Sequence, residues 1–104
     1  MIRSKKILYN WANINRAPCD EFGIYSFWRG DICLYVGKAK TQSLRKRLLQ
    51  HYTSCHNASL SLWLNSSHTI HFVYDTVQNN DAIDTKERKL IRKLSPKTNI
   101  IYAN

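Results

Sequence analysis

Two phenols, an ammonium, a guanidinium and an imidazole fall within one stretch of the chain, Gly23 to His51 (GIYSFWRGDICLYVGKAKTQSLRKRLLQH). They belong to Tyr25, Tyr35, Lys38, Arg47 and His51. Together they suit a phosphodiester. Cations hold and neutralise phosphate oxygens, a guanidinium fork matches two of them at once, and a phenol or imidazole can move a proton. Hydrolysis of such a bond also needs an activated water and help for the leaving oxygen, and a divalent ion contributes to each of these needs. Glu87, further along the chain, offers a carboxylate for such an ion.

These groups meet only if the stretch folds as a β-hairpin feeding a helix. Gly23 to Trp28 and Ile32 to Gly37 are apolar, aromatic runs, and Arg29-Gly30-Asp31 between them is a turn signal, with Gly30 able to take positive φ. Period-2 alternation points Tyr25 and Phe27 one way and Ile24, Ser26 and Trp28 the other. On the return strand it groups Ile32, Leu34 and Val36, and on the opposite face Cys33, Tyr35 and Gly37. Tyr25 and Tyr35 can then stand on one face. Ser43 is a good N-cap for the helix that follows. Leu44, Leu48 and Tyr52 form its apolar line, widened by Leu49, and Arg47 and His51, four apart, stack beside that line. Arg45 and Lys46 lie elsewhere on the helix. With Lys40 they are candidate nucleic-acid contacts, and a solvated basic surface accounts for them equally well.

Downstream, Ser59 to Leu64 is ambiguous between strand and helix, and Asn57 as a cap favours helix. Thr69 to Val77 reads as a third strand, with Ile70, Phe72 and Tyr74 on one face and His71, Val73 and Asp75 on the other. Asn79-Asn80-Asp81 opens a second long helix, with Asp81 and Asp84 near its positive end. It ends at Leu94, before Ser95 and Pro96. Its apolar stripe is Ile83, Leu90, Ile91 and Leu94, and Glu87 sits on that stripe. A carboxylate on a buried face needs a partner or a metal; a salt bridge to a nearby arginine is the other reading.

The triplets Gly23-Ile24-Tyr25 and Tyr35-Val36-Gly37, then Lys38, Arg47 and His51, and later Glu87 and Asn99, resemble the GIY-YIG nuclease family, with Val36 standing for Ile in the second triplet. The resemblance covers about Phe22 to Asn104. It implies metal-dependent endonucleolytic cleavage of DNA, with a tyrosine as general base. Tyr25 is the preferred base, with Tyr35 orienting the water or the phosphate. His51 takes the proton onward or helps the leaving group, and Asn99 either hydrogen-bonds within the site and holds the tail against it or is a simple turn or cap residue. Arg47 is the phosphate clamp. The extra residues of Thr41-Gln42-Ser43-Leu44 leave Arg45 as a rival, but counting back from His51 favours Arg47. His51 itself is similar to the restriction and homing branch, since the repair-subunit branch often has tyrosine there.

A phenol of ordinary pKa near 10 is a poor base at neutral pH, and Lys38, Arg47 and the ion are expected to lower it. Glu87 is the one acidic residue that the pattern places inward near the other groups. One carboxylate completed by waters and phosphate oxygens is a normal Mg²⁺ shell, so a single Mg²⁺ or Mn²⁺ is expected, weakly held without substrate.

The 104 residues suffice for one domain with its own core. Sixteen Lys and Arg against seven Asp and Glu, a net charge of +9, point to an anionic partner, most simply nucleic acid. No run of about 18 apolar residues is present, so no membrane span is expected. Three cysteines, an odd number, suggest free thiols in a reducing, intracellular (cytoplasmic) setting. Cys55, His56, His68 and His71 do not make a zinc quartet: His68 and His71 face opposite ways in a strand, and Cys55 and His56 are adjacent. No phosphate-cradling glycine-rich loop occurs. Residues 1–21 read as an extension, with an apolar cluster at Ile7, Leu8, Tyr9 and Trp11 behind a basic start at Arg3, Lys5 and Lys6. It either packs on the domain or reaches along nucleic acid as a basic arm. Residues 22–104 are the nuclease-like domain, a small α/β unit of the α+β type: a three-stranded, mainly antiparallel sheet flanked by helices. A non-cleaving DNA-binding module, or a cutting subunit active only within a larger complex, are the alternatives. Specificity would come from loops, a homodimer or a partner protein.

Overall fold

The computed structural model describes residues 5–99; Arg3 of the basic start and the end of the tail lie outside them. Four strands, β1 (Ile7–Leu8), β2 (Gly23–Arg29), β3 (Ile32–Ala39) and β4 (His71–Thr76), form one sheet in the order β1-β4-β2-β3. Every neighbouring pair is antiparallel. The expected sheet had three strands. The fourth, β1, is two residues long, too short to show alternation, and exists only through its pairing with β4. The stretch read as an extension also forms helix α1 (Trp11–Ile14), and it buries Ile14 and Ala17 in the core. Lys6 of its basic start is tied to the hairpin: it donates to Gly30 O at 2.7 Å and lies 4.5 Å over the Trp28 ring.

Helices cover both faces of the sheet. On one face, α1, α2 (Leu44–Thr53) and α3 (Ala58–Leu64) bury Ile14, Leu44, Leu48 and Leu60 against Tyr25, Phe27 and Phe72. On the other, α4 (Asn80–Leu94) buries Ile83, Leu90 and Ile91 against Ile24, Cys33 and Val36. The local signals act as expected. Ser43 Oγ accepts from Lys46 N, Asn57 Oδ1 from Leu60 N, and Asn79 Oδ1 from Asp81 N, which caps α2, α3 and α4. Ser95 closes α4 in the left-handed conformation, with φ 44°, just before Pro96. Gly30 makes the hairpin turn at φ +58°.

One expectation about the hairpin fails. Phe27 pairs with Tyr35 but Trp28 pairs with Cys33, so Leu34 is an extra residue in β3. This bulge breaks the alternation. Leu34 joins the Tyr25 and Phe27 side with Tyr35, while Cys33 moves to the side of Ile24 and Val36. Tyr35 keeps the same side as Tyr25.

Candidate active site

The site is built where β2, β3 and the end of α2 meet. Tyr25 stands in the middle of β2, opposite Gly37, and Tyr35 lies diagonally across on β3, with ring centroids 6.2 Å apart. Gly37 is what admits both rings: a methyl there would lie 2.5 Å from Tyr25 Cζ and 2.7 Å from Tyr35 Cε2. His51, in the last turn of α2, brings its ring to 5.4 Å from each phenol ring, and Tyr25 Oη lies 2.7 Å from His51 Nε2. Arg47, one turn earlier on α2, donates to Gln50 Oε1 at 2.7 Å, and Gln50 donates to Gln42 Oε1 at 2.8 Å. That tie leaves the guanidinium beside a cavity of about 280 Å³, whose lining includes Tyr35, Arg47, Gln50, His51 and His56.

The electrostatics differ from the expectation. Burial pushes both phenols above their usual range, and the Arg47 charge opposes this without overcoming it. Lys38 meets the carboxylates of α4. It donates to Asp84 Oδ1 at 2.6 Å and lies 3.8 Å from Glu87 Oε1, on the α4 side. The phenols are therefore protonated in the free protein. The His51 imidazole is pushed down to about 4, first by burial and then by the Arg47 and His56 charges. It is a neutral acceptor at ordinary pH. The two phenol rings are neighbours, with centroids 6.2 Å apart, and of the two it is Tyr25 whose hydroxyl meets His51. Tyr25 is 0% exposed. Tyr35, partly exposed, is the phenol that lines the cavity.

Glu87 points inward from α4, its side chain 12% exposed. Burial pushes its carboxyl above the usual range, with Lys38 opposing, and its charge reaches both phenols. A desolvated carboxylate whose ion pair is 3.8 Å long suits a hard divalent cation better than that distant ammonium. Among the described residues no group of three or more His, Cys, Asp or Glu is gathered to hold a metal. The donor set is that of an oxygen-ligated ion completed by water and phosphate.

The model of the UvrC-like GIY-YIG domain matches residues 21–100. The chain belongs to the GIY-YIG family. The crystal structure of the N-terminal endonuclease domain of UvrC from Thermotoga maritima, bound to its catalytic magnesium, superposes with a TM-score of 0.69 at 26% identity, covering 86% of this chain and 93% of that one. Two point mutants of the same Thermotoga maritima domain, each bound to its catalytic divalent cation, are similar. One, a Tyr-to-Phe mutant, matches with a TM-score of 0.69 at 26% identity over 86% of this chain and 92% of that one. The other, an Asn-to-Ala mutant, gives 0.67 at 25% identity over the same shares. No curated protein matches the chain. The matching model is the UvrC-like one, so His51 does not mark the restriction and homing branch here.

Within this GIY-YIG domain the remaining candidates separate. Arg45 donates through Nε to Ala17 O at 2.8 Å and so fastens α2 to the loop after α1, away from the phenols. Lys40 donates to Asp84 Oδ2 at 2.8 Å. Lys46 is exposed on α2. Asn99 binds β3 through both ends of its amide: its Oδ1 accepts from Val36 N and its Nδ2 donates to Val36 O, each at 2.9 Å. It straps the tail along the edge strand rather than facing the cavity. The sequence pattern marks Asp84 only as a charge near the start of α4 and Cys55 only as a discarded zinc ligand, and it does not single out Gln50; the two lysines hold the Asp84 carboxyl down to about 2. Helical spacing marks Asp84 and Gln50, whereas Cys55 lies beyond α2, which ends at Thr53. Asp84 is three before Glu87, Gln50 three after Arg47, and Cys55 four after His51. Among the described residues, no helix is long and apolar enough to cross a membrane.

Proposed function

We propose that this GIY-YIG domain is a metal-dependent endonuclease that hydrolyses DNA phosphodiester bonds. The observation that carries the reading is the Tyr25–His51 contact of 2.7 Å, with Arg47 and Tyr35 at the adjoining cavity. Phosphate enters beside α2, where Arg47 grips two of its oxygens. The base is Tyr35, the phenol that reaches the cavity. It accepts a proton from the attacking water and gives its own to the neighbouring phenol Tyr25, whose ring lies 6.2 Å away, while Tyr25 passes its proton to neutral His51. The water oxygen bonds to phosphorus as the bond from phosphorus to the leaving oxygen breaks, and the proton stays on the imidazole, from which it can be returned to the leaving oxygen. Because both phenols stay protonated in the free protein, no phenolate waits in advance, and the protons move along the path as the water attacks. Glu87 would hold Mg²⁺, or Mn²⁺ in its place, which when bound supplies charge neutralisation at the phosphate. Asn99 holds the tail on β3, Lys38 positions the carboxylates of α4, and Lys40 and Lys46 add positive charge for the DNA backbone.

A second reading is a cutting module that works within a larger repair assembly. The Thermotoga maritima relative is described as one N-terminal domain of its protein. Leu62, 77% exposed, and Trp11, 54% exposed, offer apolar surface to a partner. The test is nicking of supercoiled plasmid and of a branched DNA with Mg²⁺ or Mn²⁺, then with EDTA, beside Glu87→Ala and Arg47→Ala. Metal-dependent nicking lost in both variants supports the nuclease. Salt-sensitive binding without cutting by the wild type refutes it as a stand-alone enzyme.

A further inference from the structure

We propose that Cys55 is a positioning residue for this reaction: its sulfur sets the tautomer of the His51 ring so that Nε2 is the acceptor for the proton of Tyr25. The inference rests on the nuclease reading and concerns the same site. His51 Nδ1 lies 3.4 Å from Cys55 Sγ, and the thiol donates to Asn57 O at 3.6 Å. A thiol carries one hydrogen. With that hydrogen directed at a carbonyl, which can only accept, the sulfur can only accept from the ring. Nδ1 therefore carries the ring proton, and Nε2 faces the Tyr25 hydroxyl with its lone pair, 2.7 Å away. Burial also keeps the thiol in its protonated form.

The loop that presents the sulfur is fixed. Asn57 accepts from Leu60 N at 3.1 Å as the cap of α3 and donates through Nδ2 to Thr98 O at 2.9 Å. Ring packing holds the imidazole in place as well, with Tyr25, Phe27 and Tyr35 at centroid distances of 5.3–5.4 Å. A carboxylate at this position would hold the same tautomer, but it would also stabilise the charged ring. Sulfur orients His51 and leaves it neutral. The step is balanced within the site: the O–H bond of Tyr25 breaks, an N–H bond forms at Nε2, and the Nδ1 proton remains directed at sulfur.

The test is long-range ¹H–¹⁵N correlation on the full chain labelled in histidine, without DNA, with His51→Gln to assign the signal. The wild type should show the Nδ1–H tautomer, Cys55→Ser should keep it, and Cys55→Ala should move it toward the Nε2–H form. With this shift, kcat for nicking by Cys55→Ala should fall roughly tenfold, a part of what positioned proton transfer contributes. KM should be unchanged, and Cys55→Ser should stay within about threefold of wild type. A wild-type ring in the Nε2–H form, or a Cys55→Ala ring indistinguishable from wild type, overturns the proposal. An Nδ1–H ring in a protein that cuts no DNA overturns the stand-alone nuclease reading, and the positioning role with it, while the ring assignment stands. The two failures are therefore distinguishable.

Discussion

Replacing Gly37 with alanine tests the geometry of the site most directly. The added methyl would lie 2.5 Å from Cζ and 2.6 Å from Oη of Tyr25, and 2.7 Å from Cε2 of Tyr35. Ordinary carbon contacts begin near 3.5 Å, so the rings or the strand must move by roughly 1 Å. Little there can yield. Tyr25 is 0% exposed, the ring of Phe27 lies 5.9 Å away, and the backbone of β3 is held by β2 on one side and by Asn99 on the other. Overpacking of this kind costs about 1–3 kcal/mol, which for a chain of this size lowers Tm by roughly 5–20 °C. The same shift displaces the phenol path against Arg47 and His51, and a misplacement of about 1 Å can cost on the order of 100-fold in rate. Circular dichroism would follow the melt, and plasmid nicking well below both midpoints would follow the rate. Gly30→Ala is the control. Its methyl meets nothing within 4 Å but sits at φ +58°, so it should lose about 1 kcal/mol and keep full nicking activity. A Gly37→Ala protein that melts within about 2 °C of wild type and nicks at an unchanged rate would refute this account of why the two phenols need a glycine.

Four further outcomes are expected. The folded His51 imidazole is held down to about 4 by burial, Arg47 and His56, against 6.5 unperturbed. Between those values the unfolded chain binds a proton that the folded chain does not, so stability should fall as pH drops from about 6.5 to about 4, by up to about 3 kcal/mol. Urea unfolding across that window should show the slope, and His51→Gln should flatten it. Arg45→Ala should cost about 1–2 kcal/mol through its lost bond to Ala17 O and leave the nicking rate per folded molecule unchanged. Arg47→Lys keeps the charge but loses the fork, and should slow nicking by roughly 10–100-fold. Asn99→Ala removes both bonds to Val36 and should destabilise by about 1–3 kcal/mol, read as a lower urea midpoint.

Much of the fold can be read from local rules. The caps at Ser43, Asn57 and Asn79, the turn at Gly30 and the stop at Ser95-Pro96 each depend on a few neighbouring residues, and each stands where those residues require. Glu87 is legible for the same reason: a helical period fixes its face, and that face is buried. Arg47 and His51 share a helix face by spacing alone. What the local rules miss depends on partners distant in the chain. The bulge at Leu34 shifts the register of β3, and two alternating patterns do not reveal it. Strand β1 exists because β4 is there to pair with it.

The chain by itself therefore determined the inventory and its order: two phenols on a hairpin, a guanidinium and an imidazole one turn apart on the next helix, and a carboxylate on the inner face of the last. Those placements follow from periods of two and 3.6 residues, which any short stretch carries within itself. The tertiary structure alone decided how the groups behave. Burial of Tyr25 and Tyr35 raises the phenols despite Arg47. Lys38 is drawn to Asp84 and Glu87 of the last helix. The cavity opens at Tyr35, not at the fully covered Tyr25. Desolvation and through-space charge depend on what packs around a group from every element at once, and no local pattern contains that information.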